Sequence, residues 1–368
     1  MGFTFGFTED DFSDDETLKN KNIESKQLDS VCPLDNFQVP SNHQPKLESL
    51  EEILRSLANL TISFTTSTTI QNNIVYRREL FDVKHQLMTE DNIGNDNDEF
   101  QILLGDTNED LKTNIYEGGL KSWECAFDVV DKLSSFANIN EYDKIVEIGC
   151  GTALPSCFLL KKIIEDKISM NDKPAQKKLD LILSDYNYSV LRLVTVPNLI
   201  LSWASTLSVD ILKSLQENRD QERELQANEI FLSQNLLDTF YANLKSNNIT
   251  LHLVSGSWCR DYIDIINGVK TKPDVTDNKT LLISSETIYS PTMLPIISEV
   301  IIELQNCGNQ NNLALVAAKD IYFGVGGSVA DFINYLEGKI RDGTNIKYRI
   351  EKIDYSGLKR SMIEVNST

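Results

Sequence analysis

Apolar residues recur along this chain with two different spacings, and the switches between them predict alternating strands and helices. Residues 145–148 form a short apolar, β-branched run of the kind that makes a buried strand, ending in Gly149-Cys150-Gly151. Similar runs open 179–187, 250–254, 280–291 and 313–320, each followed by a polar or glycine-bearing exit. Between them lie stretches with helical spacing. One starts at Trp123 and continues through Phe127, Val130 and Leu133; another follows Pro155-Ser156; a third covers 329–336. Residues 347–353 and 361–365 flank a turn at Ser356-Gly357 and read as a hairpin completing a sheet of about seven strands. This alternation predicts an α/β, Rossmann-like fold, with ligands expected beyond the carboxyl ends of the strands.

The flanks of that core read differently. Residues 1–46 are expected to form a disordered acidic tail, since six of the eight residues from Glu9 to Glu16 are acidic and Pro33, Pro40 and Pro45 follow. The aromatic start, Phe3-Thr4-Phe5-Gly6-Phe7, belongs to that tail. Residues 47–113 form an N-terminal extension expected to pack on the core. It holds a surface helix at 47–57, strands or extended arms at 61–64 and 74–87, and a polar loop at 90–99. The main domain is then 114–368. Within it, 205–248 lacks glycine and proline and reads as a solvated helical insertion.

Composition narrows the partners. An apolar share of 41% over 368 residues suffices for a sizeable core, and a net charge of −20 disfavours a nucleic-acid backbone and favours a basic protein. The six cysteines contain no C-x-x-C pair and the three histidines are dispersed, so no zinc spacing is present and reduced thiols are expected. The sequence carries no signal-peptide pattern and no bilayer-length apolar stretch, which predicts a soluble, intracellular, monomeric protein of cytoplasm and nucleus.

The candidate chemistry sits at the predicted strand ends. In Glu147-Ile148-Gly149-Cys150-Gly151 the glycines permit a sharp turn close to a ligand. Glu147 disfavours a phosphate there and favours a ligand bearing positive charge or hydroxyls. Asp185, followed by Tyr186 and Asn187, is placed to accept both hydroxyls of a ribose, or else merely to cap the next helix. Gly256-Ser257-Trp258 suits a purine against an indole face, although a tryptophan there is equally a core residue. Glu286 and Tyr289, three residues apart, could grip a substrate nitrogen. The glycine run 323–327 has neither a phosphate-loop lysine nor basic surroundings, so it is expected to wall a substrate channel.

In order, these motifs resemble the protein-histidine methyltransferase family, within the seven-strand S-adenosylmethionine (SAM)-dependent methyltransferases that carry an acid-x-x-Tyr motif. The likeness rests on Glu117-Gly118-Gly119-Leu120-Lys121-Ser122-Trp123-Glu124-Cys125, on Val146 to Gly151, on Ser285-Glu286-Thr287-Ile288-Tyr289 and on Phe323 to Gly327. It extends over most of the chain and is poorest at 205–248. The resemblance implies methyl transfer from SAM to the tele nitrogen of a histidine in a large-subunit ribosomal protein, and so a role in translation. It also implies cofactor contacts at Trp123, Glu124, Cys125, Glu147, Gly149, Gly151, Asp185, Tyr186, Asn187, Gly256, Ser257, Trp258 and Ser285. Glu286, Tyr289 or Asp320 would hold the second ring nitrogen of the target. The rival readings are a lysine methyltransferase sharing the acid-x-x-Tyr motif, and a non-catalytic chaperone of a ribosomal protein. No metal is expected.

Overall fold

The computed structural model describes residues 32–90, 118–169, 177–217, 224–269, 279–307, 312–355 and 357–367. In chain order its strands are β1 (Lys46–Glu48), β2 (Thr61–Thr68), β3 (Ile74–Arg78), β4 (Lys144–Ile148), β5 (Leu179–Asp185) and β6 (Glu229–Phe231). They continue with β7 (Ile249–Ser255), β8 (Thr280–Ser285), β9 (Leu313–Lys319), β10 (Ile346–Ile353) and β11 (Arg360–Ser367). Eight of these form one sheet, ordered β1-β7-β5-β4-β8-β9-β11-β10. Strands β7, β5, β4, β8 and β9 run parallel; β1 on one edge and β11 beside β9 are antiparallel to them, and β10, antiparallel to β11, again runs with the five.

β4 is central. Its backbone places Ile145 between Leu181 and Leu281, and the chain leaves it toward β5 on one side before returning to β8 on the other. That reversal opens a crevice at the carboxyl ends of β4 and β8, the usual ligand position in such sheets. Side chains alternate across β4 as strand geometry requires. Ile145 joins one apolar layer with Leu183 and the helices Glu124–Ser134 and Leu154–Ser169. Val146 and Ile148 join the opposite layer with Ile182 and the helix Leu294–Asn306. From β7 to β10 the strand order, with the last strand inserted antiparallel beside β9, is that of the seven-strand methyltransferase fold; β1 adds an eighth strand.

Three expectations are corrected. The segment 32–46 is ordered: Leu34 is buried against the Leu294–Asn306 layer, and β1 pairs with β7 through its backbone. Backbone pairing at a sheet edge leaves no hydrophobic signature in the sequence, which is why proline spacing misleads there. The acidic run Glu9 to Glu16 and the aromatic start lie outside the described residues. Next, 74–87 is not one extended arm. It is β3 followed by the helix Leu80–Glu90, whose Val83 and Leu87 pack on Val190 and Val194. Finally, 205–248 is no solvated helical excursion. β6 pairs with β2 in a second sheet ordered β3-β2-β6, and the helix Gln234–Ser246 buries Leu236, Leu237, Phe240 and Leu244 under β7. That four-residue stripe has helical spacing, and the polar composition around it masks its amphipathic pattern.

The N-terminal elements share the core. Ser49 caps the helix Leu50–Leu57 by accepting the Glu52 N–H at 3.2 Å, and Ile53, Leu57 and Ile62 are fully buried in the same layer as Ile145. Among the described residues no helix is long and apolar enough to cross a membrane.

Candidate active site

The glycine turn after β4 is held from three sides. Gly149 and Gly151 adopt left-handed backbone, with φ of +64° and +50°. A Cβ on Gly149 would lie 2.8 Å from Thr287 and 3.3 Å from Trp258, so the close approach requires glycine there. The Cys150 N–H donates to the Ser184 carbonyl, and the Gly151 N–H donates to Asp185 Oδ2 at 2.9 Å. Thr195 donates to the Gly151 carbonyl from the π-helical turn Leu191–Thr195, a geometry frequent at functional sites. The helix Leu154–Ser169 then begins, with Pro155 in its first turn.

Around this turn the ends of β4, β5, β7 and β8 enclose a cleft of about 910 Å³ of empty space, its open mouth included. Of the residues expected to touch cofactor, Trp123, Glu147, Gly149, Gly151, Asp185, Tyr186, Ser257, Trp258 and Ser285 line it. The other four do not. Glu124 turns to Lys319, with Oε2 2.9 Å from Nζ. Cys125 is buried and directs its backbone N–H to Glu286 Oε1 at 3.3 Å. Asn187 is buried and donates its N–H to Asp185 Oδ1. Gly256 packs on the backbone of Gln44 and Pro45, where a Cβ would come within 2.7 Å.

The residues suit an adenosyl sulfonium. The buried Ser285 hydroxyl has no hydrogen-bond partner in the protein, although it lies on the cleft, so a ligand group can satisfy it. Asp185 accepts the Gly151 and Asn187 N–H groups, one on each oxygen, and a carboxylate is the acceptor that ribose hydroxyls require. Aromatic faces surround the space: Phe37, Trp123, Tyr186, Trp258 and Tyr289. Phe37 comes from the segment expected to be disordered. That segment also stacks the His43 ring on Tyr186, centroids 4.1 Å apart, and accepts the Ser257 N–H at the His43 carbonyl. Phe37→Ala is therefore expected to weaken cofactor binding about three- to tenfold by calorimetry, as loss of one aromatic wall should. An unchanged affinity would show the N-terminal wall to be only structural.

Glu147 is almost fully buried and accepts both the N–H and the hydroxyl of Ser156. Burial pushes its carboxyl pKa up to about 8, with Ser156 pulling the other way. A carboxyl raised in the folded state gives stability that is complete below its unfolded pKa and is lost as pH climbs through the folded one. The ligand-free protein should thus lose on the order of a few kcal/mol between about pH 4.5 and pH 8 from this group. Thermal melts of Glu147→Gln should show a shallower fall over that window than those of the unaltered protein; parallel curves would refute the assignment.

A second cavity adjoins the first and shares Trp123, Glu286 and Tyr289 with it. It adds Lys319, Tyr322, Ile321, Phe323, Val325 and Leu358, and Phe323 is 86% exposed at its rim. Glu286 sits at the junction with φ +58°, and its side chain lies 3.7 Å from Lys319 Nζ. Tyr289 meets Tyr322 edge-on, and its carbonyl accepts the Gly327 N–H at 2.9 Å, tying the glycine-rich loop to the acid-x-x-Tyr turn. Asp320 lines this cavity, but its carboxylate is engaged by Lys352 and Ser361. Burial raises the Asp320 pKa, yet those partners outweigh it and hold it below the usual range. Lys319 and Tyr322 escaped the sequence reading, because a lysine ending a buried strand reads as a solvated terminus.

A sheet with the seven-strand methyltransferase order from β7 to β10, an acid ending its second parallel strand, a glycine turn after its first and a junction with a second cavity defines a SAM-dependent methyltransferase. No family model matches the chain. Comparison with known proteins shows 43% identity to Histidine protein methyltransferase 1 of Saccharomyces cerevisiae, covering 99% of this chain and 98% of that one. Identity to the Schizosaccharomyces pombe protein of the same name is 31%, over 94% and 88%. The chain belongs to the histidine protein methyltransferase family. Among solved structures, the methyltransferase domain of bacterial CtHen1 overlaps 67% of this chain and all of its own at 13% identity, with a TM-score of 0.34.

Proposed function

We propose that this protein transfers a methyl group from SAM to the tele nitrogen of a histidine in a large-subunit ribosomal protein, acting as a monomer in cytoplasm and nucleus. The observation that carries the reading is the junction at Trp123, Glu286 and Tyr289, where the aromatic-lined cleft meets an apolar-rimmed cavity. Membership of the histidine methyltransferase family supports imidazole as the acceptor, and the net charge of −20 favours a strongly basic protein partner. Exposed Ile321, Phe323, Val325 and Leu358 give that partner an apolar rim to rest on.

Bound SAM supplies a methyl group on a sulfonium sulfur that leaves as a neutral thioether. The protein's own task is then positioning. Imidazole has an ordinary pKa of about 6.5, so its neutral form, with a free lone pair, dominates at physiological pH and little general-base power is required. Glu286 accepts the N–H of the second ring nitrogen and thereby fixes the tautomer that presents the tele lone pair. Tyr289 and Trp123 hold the ring between the two cavities and exclude water.

Purified protein incubated with labelled SAM and a heat-inactivated lysate from cells lacking it should label one large-subunit ribosomal protein, with peptide mapping placing the methyl group on a histidine. Label confined to other proteins would overturn the ribosomal assignment, and label on lysine would overturn the histidine one.

A further inference from the structure

Lys319 occupies a position that no step above requires. It ends β9, and its ammonium reaches the ground shared by the two cavities. Nζ lies 2.9 Å from Glu124 Oε2, 3.7 Å from Glu286 Oε2 and 5.1 Å from the centre of the Trp123 ring. Its backbone N–H donates to the Tyr322 hydroxyl at 3.3 Å, which ties the residue to the cavity wall. Burial lowers the pKa of the ammonium, but Glu124 and Glu286 outweigh burial and hold it above the ordinary lysine value. A permanent cation therefore stands beside the carboxylate at the reaction junction.

We propose that Lys319 is the residue that sets the chemistry of the accepted nitrogen: it admits a neutral imidazole and refuses the ammonium of a substrate lysine. The proposal rests on the reading of this protein as a histidine methyltransferase and names the element that makes it one. An acid at this junction with no cation beside it is a natural partner for a lysine ammonium, through a charge-assisted hydrogen bond. Here one oxygen of Glu286 already takes the Cys125 N–H and the other faces Lys319. An incoming ammonium would have to displace Lys319 from Glu286, a carboxylate that already has its cation. A neutral imidazole needs no such displacement, because its N–H can share Glu286 with Lys319. Trp123 adds to the selection. One face of its ring already carries the Lys319 ammonium, 5.1 Å from the ring centre.

The test compares products. Purified protein is incubated with labelled SAM and heat-inactivated lysate from cells lacking it, and the labelled proteins are hydrolysed to amino acids. The unaltered protein is expected to yield methylhistidine with methyl-lysine at background. Lys319→Met should keep cofactor affinity within about threefold and produce methyl-lysine, raising the lysine-to-histidine product ratio at least tenfold. Lys319→Arg, which keeps the charge, should restore the histidine-only pattern. Should Lys319→Met melt early, Lys319→Gln makes the same comparison with a polar side chain. A neutral variant that folds, binds cofactor and still yields no methyl-lysine would overturn the proposal, whether its histidine activity falls or not. Methyl-lysine as the main product of the unaltered protein would instead overturn the histidine reading itself, so the two failures are distinct.

Discussion

Glu286→Ala is expected to lower turnover by roughly two to three orders of magnitude while cofactor affinity shifts by less than about tenfold. Among the described residues the side chain is the one carboxylate common to both cavities, and only its substrate-side role is needed in the reacting complex. Its backbone argues the same way. A glutamate at φ +58° costs on the order of 1–2 kcal/mol, a strain that persists when the surroundings determine it. Here the Glu286 N–H is fixed to the Ala317 carbonyl at 2.8 Å, so the chain is bent to aim this side chain. Alanine keeps the bend and removes only the carboxylate. Glu286→Gln should fall between, since its amide oxygen can still accept the Cys125 N–H but offers half the acceptor capacity. Single-turnover kinetics with labelled SAM would read the loss. Unchanged turnover in the alanine variant at saturating cofactor would remove Glu286 from the mechanism.

What the sequence made legible were positions where chemistry restricts residue type. Gly149 and Gly151 are constrained by backbone, Asp185 by its place at a strand end, and Glu286 with Tyr289 by their spacing; each is found beside the same crevice. Glu124, Cys125, Asn187 and Gly256 were expected as cofactor contacts on the family resemblance. They lie beside the cleft lining and meet Lys319, Glu286, Asp185 and the Gln44–Pro45 backbone respectively. Adjacency in sequence locates a strand end but not the direction of each side chain. The wall built from Phe37 and His43 was illegible for another reason. It is held by edge-strand pairing at β1, an aromatic stack, one backbone bond from Ser257 and the burial of Leu34, none of which imposes a periodic pattern. Lys319 was hidden by averaging: a lone cation after six small or apolar residues says nothing of the acids that fold onto it.

Asp185→Ala should raise the dissociation constant for SAM by about two to three orders of magnitude, with turnover at saturating cofactor retained within severalfold. The residue lines the cofactor cleft and not the adjoining cavity, so its contribution is one of binding. Two hydrogen bonds from ribose hydroxyls to a charged acceptor contribute about 1.5–3 kcal/mol each, and 1.4 kcal/mol is tenfold in affinity. Part of the loss will come from the protein. The same carboxylate accepts the N–H groups of Gly151 and Asn187, so its removal frees the glycine turn as well as the ribose. Asp185→Asn keeps one acceptor: its oxygen can keep the Gly151 bond, while its amide nitrogen can accept neither a hydroxyl nor the Asn187 N–H. It should lose about tenfold in affinity and less in melting temperature than the alanine variant. Set beside Glu286→Ala, which leaves affinity and removes turnover, the result divides the site into a half that holds the cofactor and a half that holds the acceptor. An alanine variant with undiminished SAM affinity by calorimetry would place the ribose elsewhere, and the part of the cleft beside Asp185 would have to accommodate a different part of the ligand.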